Sequence, residues 1–216
     1  MADIKIGSIV LGTCSTNTYF LYREGNPDTI VIDPADYGEM IYEKLEGKGM
    51  KPVAILLTHG HFDHIWGIEG LKKAVEKRGQ AALQVYACKE EEALLLDASK
   101  NVSAMAGRAC TLKPDVLLED GEQVTLAGIT LQMIATPGHT AGGACYYVEE
   151  AGFLISGDTL FAESVGRTDF PTGSMSTLVR SIKEKLFTLP EETKVYPGHG
   201  PSTTIGYEKE NNPFCG

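Results

Sequence analysis

Positive charge is scarce in this chain of 216 residues. Its 19 lysines and arginines are outnumbered by 29 aspartates and glutamates, which gives a formal net charge of −10. Binding to nucleic acid through general electrostatics requires a basic surface, so the composition argues against a nucleic-acid partner. An acidic surface also repels anionic small molecules. Any anion that binds must therefore be attracted by a local positive centre, such as a bound metal ion.

Long apolar runs and paired cysteines are also missing. No stretch approaches the ~20 apolar residues of a membrane-spanning helix, and residues 1–5 lack the basic start and apolar stretch of a secretory signal. The 5 cysteines are widely spaced, and none belongs to a Cys-x-x-Cys pair. An odd number of scattered cysteines indicates free thiols in a reducing compartment. We therefore expect a cytoplasmic protein without a membrane partner.

Linkers, repeats and low-complexity segments are absent as well, which predicts a single domain over residues 1–216. Hydrophobic residues make up 43% of the chain, enough for a sizeable core. Strand-like segments alternate with helical patterns, and residues 124–131 have the pattern of an antiparallel hairpin turning at Ala127-Gly128. This order predicts an α/β fold in which two mixed sheets are covered by helices.

Apolar residues at helical spacing predict four helices, over residues 37–48, 65–79, 90–97 and 174–186. The third helix is expected to bury its three consecutive leucines, residues 94–96. Ser174 or Ser176 can cap the fourth helix at its amino end. Residues 98–120 carry no such pattern, and we expect them to form a loop.

Histidine is rare, and its distribution is the strongest functional signal. Three of the 5 histidines, His59, His61 and His64, lie with Asp63 in the segment Thr-His-Gly-His-Phe-Asp-His, directly after the apolar run 53–57. His59 and His61 can reach one ion while Asp63 and His64 turn toward a second. Imidazole nitrogens and carboxylate oxygens are the ligands that zinc and similar divalent ions prefer. The segment therefore predicts a metal site.

Three further strand ends carry candidate ligands. His139 and His199 each end a Pro-Gly-His tripeptide after an apolar segment, and Asp158 follows the apolar run 153–155 through Ser-Gly. An aspartate in that position is, by itself, more typical of a turn or a helix cap. Because five histidines are arranged in the same way, we include Asp158 among the ligands.

These residues, in this order, resemble the metal motif of the metallo-β-lactamase superfamily along the whole chain. Flanking segments resemble the glyoxalase II-like hydrolases in a compact single-domain form: TPGHT at 136–140, SGDTLF at 156–161, VGRTDF at 165–170, YPGHGP at 196–201 and NPF at 212–214. The resemblance implies a four-layer αβ/βα sandwich with a dinuclear site at one edge, between the two sheets.

The same resemblance assigns ligands and activity. The first ion would be bound by His59, His61 and His139. The second ion would be bound by Asp63, His64 and His199, and Asp158 would bind both ions. Two divalent ions are implied, preferably zinc, with iron or manganese as alternatives. The implied reaction is hydrolysis of a small thioester of the S-lactoylglutathione type by a metal-bridging hydroxide, with Asp63 and Asp158 as the catalytic carboxylates.

The resemblance says less about substrate binding and about the oligomeric state than about the metal ligands. Arg167 matches a basic position that contacts the carboxylate of the thiol substrate. Typical glyoxalase II proteins hold glutathione with a helical carboxy-terminal domain, and no separate domain of that kind is expected after residue 199, which leaves the thiol carrier open. The chain is expected to act as a monomer or a homodimer.

Other activities remain as alternatives. Persulfide dioxygenases share the Gly-Arg-Thr-Asp-Phe segment and use a single iron held by two histidines and an aspartate, and identical ligands can hold different metals. A non-catalytic metal-binding protein is the third alternative. True metallo-β-lactamases resemble the first motif, but they lack the bridging aspartate and are secreted, so the presence of Asp158 argues against them.

Overall fold

Two six-stranded sheets form the centre of the structure, a computed structural model that describes residues 3–215. The strands of the first sheet are, in chain order and in spatial order, β1 Ile4–Leu11, β2 Thr16–Arg23, β3 Asp28–Ile32, β4 Lys51–Leu56, β5 Gln84–Cys88 and β6 Val116–Leu118. The first three strands pair antiparallel, and β3 to β6 pair parallel. The first sheet is therefore mixed, as predicted.

The second sheet is also mixed. Its strands are β7 Gln123–Leu126, β8 Ile129–Ala135, β9 Ala144–Val148, β10 Phe153–Gly157, β13 Lys194–Pro197 and β14 Thr203–Thr204, in the spatial order β14-β13-β10-β9-β8-β7. β10 and β13 pair parallel, and the other neighbours pair antiparallel. A separate two-stranded ribbon joins β11 Leu160–Phe161 to β12 Ser164–Val165. The predicted hairpin at Ala127-Gly128 is the β7–β8 pair.

Helices cover the outer faces of both sheets. They are α1 Gly38–Glu46, α2 Phe62–Ile65, α3 Ile68–Lys77, α4 Glu92–Leu95, α5 Met175–Glu184 and α6 Ile205–Asn211. Side chains alternate across β3, so that Val31 packs toward α1 and α3 while Ile30 and Ile32 pack against the second sheet. A third apolar cluster joins the second sheet to Leu178 and Ile182 of α5. The predicted α/β sandwich of two mixed sheets flanked by helices is confirmed.

The structure corrects three details of the prediction. The helix expected over residues 65–79 is interrupted between α2 and α3, because the Gly67 N–H donates to the carbonyl of Pro34 at 2.8 Å instead of continuing the helix. Residues 116–118 are not loop but strand β6, paired with β5. Leu96 is 49% exposed and is not part of the buried leucine face, whereas Leu94 and Leu95 are buried.

Two other local predictions, the helix cap at Ser174 and the free cysteines, are confirmed. Ser174 caps α5, since its hydroxyl accepts a hydrogen bond from the Thr177 N–H. All 5 cysteines are free thiols. No helix in the described part of the chain has the length and apolarity needed to cross a membrane.

Helices α1 and α3 pack so closely that a side chain is excluded at Gly38. A Cβ added there would lie 2.0 Å from the Gly67 carbonyl oxygen and 2.3 Å from the Leu71 nitrogen, both backbone atoms. We therefore expect Gly38→Ala to destabilise the protein by about 1–3 kcal/mol, the usual cost of overpacking. Thermal denaturation should show a midpoint lowered by several degrees.

Gly7→Ala is the matched control for this change. Gly7 lies in β1, where the nearest atom to an added Cβ is a Phe20 ring carbon at 3.9 Å, an ordinary contact. Its melting temperature should equal or slightly exceed that of the wild type, because alanine has the lower conformational entropy in the unfolded chain. Equal melting temperatures for the two variants would contradict the close packing of α1 on α3.

Candidate metal centre

Four strand ends meet at one edge of the sandwich and bring the predicted ligands together. Strand β4 leads into residues 57–64, β8 leads to His139, β10 leads to Asp158, and β13 leads to His199. In the second sheet β8, β10 and β13 all run in the same direction, since β9 is antiparallel to both β8 and β10. Their carboxyl ends therefore lie side by side.

The first group of candidate ligands consists of three buried imidazoles, those of His59, His61 and His139. His61 Nδ1 lies 2.9 Å from His139 Nε2, which lies 3.2 Å from His59 Nε2. Two nitrogens bound at ~2.0–2.1 Å to a tetrahedral ion lie roughly 3.3 Å apart. Both measured distances are therefore close to the spacing of two ligands on one ion, and all three nitrogens lie within 4.8 Å of one another.

The second group consists of Asp63, His64 and His199. Asp63 Oδ2 lies 3.7 Å from His64 Nε2 and 3.4 Å from His199 Nε2. The hydroxyl of Thr16 donates to the same carboxylate oxygen at 2.9 Å, which fixes the orientation of Asp63. One carboxylate and two imidazoles therefore converge on a second point.

Asp158 lies between the two groups. Its Oδ2 is 3.6 Å from His139 Nε2 in the first group and 3.4 Å from His199 Nε2 in the second, while its Oδ1 is 3.5 Å from His64 Nε2. No other described carboxylate has contacts of this kind with members of both groups. This is the position that a bridging ligand would need.

Unpartnered buried atoms test whether a metal ion fits here. Three buried atoms have no hydrogen-bond partner: His64 Nε2, Asp158 Oδ1 and His61 Nε2. The last of these is the ring nitrogen of His61 that does not face His139. Leaving such atoms unpaired costs free energy, and a cation coordinated by His64 and Asp158 removes that cost. The donor set and the unpartnered atoms both fit divalent metal ions.

The charge of the cluster supports the same conclusion. Burial lowers the pKa of His59 and brings that of His61 to about 3, so both rings are neutral and free to coordinate. For His199, burial alone would lower the pKa, but hydrogen bonds to Asp158 and Asp63 raise it to about 11. The two carboxylates therefore stabilise a positive charge beside them. A divalent ion can supply this charge in place of the proton on His199.

Asp33 is a further member of the candidate site, and no pattern in the sequence indicated it. Its buried carboxylate accepts hydrogen bonds from His64 Nδ1 at 2.9 Å, from the Thr58 N–H at 2.8 Å and from the Thr58 hydroxyl at 2.6 Å. His64 Nε2 is consequently directed into the cluster, as expected of a ligand whose other nitrogen is held by a carboxylate. Asp33 has a φ of 49°, a left-handed conformation that costs energy in a non-glycine residue.

Backbone carbonyls orient two other rings. His139 Nδ1 donates to the Arg167 carbonyl at 2.7 Å, and His199 Nδ1 donates to the Cys14 carbonyl at 3.1 Å. In both rings the Nε2 atom is left to face the cluster. Both carbonyls come from loops far away in the sequence, and no local pattern in the sequence indicates them.

The cluster opens into a cavity of about 470 Å³. Its wall outside the ligands is mostly apolar and aromatic and contains Cys14, Phe62, Phe161, Val165, Arg167 and Phe170. Arg167 thus borders the site, but its guanidinium already donates to Asp169 at 2.7 and 2.6 Å and stacks on the Phe170 ring at 3.9 Å. No described residue accepts a hydrogen bond from its Nη1 atom.

A four-layer sandwich with a His/Asp cluster at one edge is the arrangement of a metallo-hydrolase. The model of the metallo-β-lactamase superfamily matches residues 11–199, and the chain belongs to that superfamily. It is 41% identical over 206 residues to the probable metallo-hydrolase YqgX of Bacillus subtilis, covering 94% of both chains. It is 32% identical over 200 residues to the hydroxyacylglutathione hydrolase GloC of Haemophilus influenzae, covering 90% of both.

Solved structures agree with the fold and with a metal site. The crystal structure of BLEG-1 B3 metallo-β-lactamase superposes with a TM-score of 0.89 at 38% identity, covering 98% of this chain and 99% of the other. The crystal structure of TTHA1623 in a di-iron-bound form superposes with a TM-score of 0.81 at 35% identity, covering 96% and 99%. The second of these is described with two metal ions, which supports divalent metals but leaves their identity open.

Asp158→Ala tests the bridging position. Removing this carboxylate leaves two cations without the group that offsets their repulsion, so metal content should fall from about two ions per chain to about one or fewer. Turnover should drop by at least ~100-fold, the upper end of the range for changes beside a metal ligand. Elemental analysis of the purified variant and steady-state kinetics provide the two readouts. Near-normal metal content and turnover would show that Asp158 is not a ligand.

Proposed function

We propose that this protein hydrolyses a small thioester of the S-lactoylglutathione type with two divalent metal ions, preferably zinc, with iron or manganese as alternatives. The observation that carries the proposal is the position of Asp158 between two complete ligand groups at the floor of a cavity with an apolar wall. The 32% identity to a hydroxyacylglutathione hydrolase supports the choice of a thioester.

The proposed ligand scheme follows the geometry of the two groups. In this scheme the first ion is bound by His59, His61 and His139, and the second by Asp63, His64 and His199. Asp158 binds both ions. Divalent ions held in this way supply a Lewis acid for a carbonyl oxygen and a nucleophile at neutral pH. Cationic centres also overcome the repulsion that a chain of net charge −10 exerts on an anionic substrate.

The protein's own groups divide the remaining tasks. The oxygens of Asp63 and Asp158 lie at the cavity floor, where they can accept hydrogen bonds from an attacking water as well as hold the ions. Phe161, Val165 and Phe170 shield the reacting carbonyl from bulk water. The leaving thiolate has a conjugate acid of pKa about 8.5, so it departs with little help from a general acid. A thioester therefore suits a site that offers little acid catalysis.

Arg167 is proposed to bind a carboxylate on the thiol portion of the substrate. The stack on Phe170 and the pair with Asp169 hold its guanidinium at the cavity wall, and Nη1 faces no described acceptor. A guanidinium can donate two parallel hydrogen bonds to a carboxylate. Because this contact is remote from the carbonyl, it should contribute equally to the ground state and the transition state.

Arg167→Ala should therefore raise KM for an anionic thioester and leave kcat largely unchanged. Loss of a hydrogen bond to a charged group costs about 1.5–3 kcal/mol, which corresponds to roughly a 10- to 150-fold increase in KM. Steady-state kinetics on lactoylglutathione measure the change.

A small neutral thioester without that carboxylate is the control, because its hydrolysis should be almost unaffected. Asp169→Asn is the matched variant, because it removes one negative charge beside Arg167 but keeps an oxygen that accepts a hydrogen bond from the guanidinium, so KM for the anionic substrate should not rise. If Arg167→Ala reduces hydrolysis of both substrates equally, or of neither, then Arg167 has only a structural role.

β-Lactam hydrolysis is the second candidate function, because a structure 38% identical to this chain is described as a B3 metallo-β-lactamase. The deciding experiment assays one metal-loaded preparation on lactoylglutathione, on a chromogenic cephalosporin and, with an oxygen electrode, on glutathione persulfide. We expect thiol release from the thioester without oxygen consumption. Oxygen uptake on the persulfide with one iron per chain would support a dioxygenase instead, and cephalosporin turnover that exceeds thioester turnover would support a lactamase.

A further inference from the structure

Glu91 is a buried carboxylate outside both ligand groups. It is 1% exposed and ends the 3₁₀ turn Lys89–Glu91, directly before α4. Its Oε1 accepts a hydrogen bond from the Gly60 N–H at 2.8 Å, and its Oε2 accepts from the Thr140 hydroxyl and the Gly142 N–H, both at 2.9 Å. Its three hydrogen-bond donors are two backbone N–H groups and one hydroxyl, and none of them is a cationic side chain.

The three donors belong to the two loops that carry the first ligand group. Gly60 separates His59 from His61, and Thr140 directly follows His139. One carboxylate thus binds both loops at once, with one oxygen on each. We propose that Glu91 is a positioning residue that locks these loops together and so sets the spacing of the three imidazoles. The inference rests on the metal site proposed above, but not on the identity of the substrate.

Packing around Glu91 reinforces this link. A Cβ added to Gly142 would lie 2.2 Å from the backbone nitrogen of Glu91, and one added to Gly60 would lie 2.7 Å from side-chain carbons of Leu94 and Leu95. The backbone of Glu91 therefore packs directly on the Gly142 loop, and the side chains of Leu94 and Leu95 in α4 pack directly on Gly60. A shift of Glu91 would move both loops.

The link between the two loops depends on both carboxylate oxygens of Glu91, and not only on the size of its side chain. Both of its oxygens are acceptors, and the three donors use both of them. A glutamine of the same shape has one acceptor oxygen, so it keeps the bond to one loop and places an NH₂ group against the donors of the other. Glu91→Gln therefore separates the two loops without creating a cavity.

The test is a titration of chelator-treated protein with Co²⁺ and Zn²⁺, followed by competition with a chromophoric chelator. Glu91→Gln should weaken one of the two binding steps by about 10- to 100-fold, as expected for groups that orient metal ligands, and leave the other nearly unchanged. The Co²⁺ absorption spectrum should show that the weakened step is the three-histidine site. Glu92→Gln changes the neighbouring, half-buried residue in the same way and should leave both steps unchanged.

A second variant guards against a folding defect. Thr140→Val removes one donor to Oε2 while Glu91 keeps its charge, and it should weaken the same step by a few-fold. Thermal denaturation of the metal-free proteins supplies the structural readout. If Glu91→Gln lowers metal-free stability but changes neither binding step, Glu91 is a packing residue and the inference is wrong. If the wild type itself binds no second ion, the proposed metal site fails, and that outcome is distinct from any effect of Glu91.

Discussion

Convergence of buried imidazoles and carboxylates on two points is the constraint on which the structure depends. Uncompensated, Asp63 and Asp158 would repel each other, and buried ring nitrogens such as His64 Nε2 would remain unpaired. Cations at the two points would resolve both problems. The parallel carboxyl ends of three strands in one sheet and the end of β4 in the other make this convergence possible, since rigid strands deliver their side chains to a single edge.

Hydrogen bonds to groups outside the candidate ligands fix the orientation of the imidazole rings. Asp33 holds His64, and backbone carbonyls of Cys14 and Arg167 hold His199 and His139. These partners decide which nitrogen of each ring faces the metal position. The left-handed backbone of Asp33 shows that the fold accepts local strain to place this carboxylate. Ring orientation is thus set by tertiary contacts rather than by the motif itself.

Sequence patterns predicted the candidate ligands that the structure brings together, and most strands, because both depend on neighbouring residues. They did not reveal Asp33, whose partners Thr58 and His64 lie 25 and 31 positions away. The strand β6 was missed because its 3 residues are stabilised by pairing with β5 rather than by their own pattern. The break at Gly67 likewise comes from a hydrogen bond to the distant Pro34 carbonyl. Features that depend on contacts between residues far apart in the chain cannot be deduced from the spacing of residues in the sequence alone.

The most direct test of a dinuclear site is a crystal structure with anomalous diffraction data collected at the absorption edge of the metal present after zinc loading. We expect two anomalous peaks per chain, one among His59, His61 and His139 and one among Asp63, His64 and His199. Asp158 should contact both ions. One peak per chain under these conditions, or two peaks without Asp158 between them, would contradict a dinuclear site bridged by Asp158.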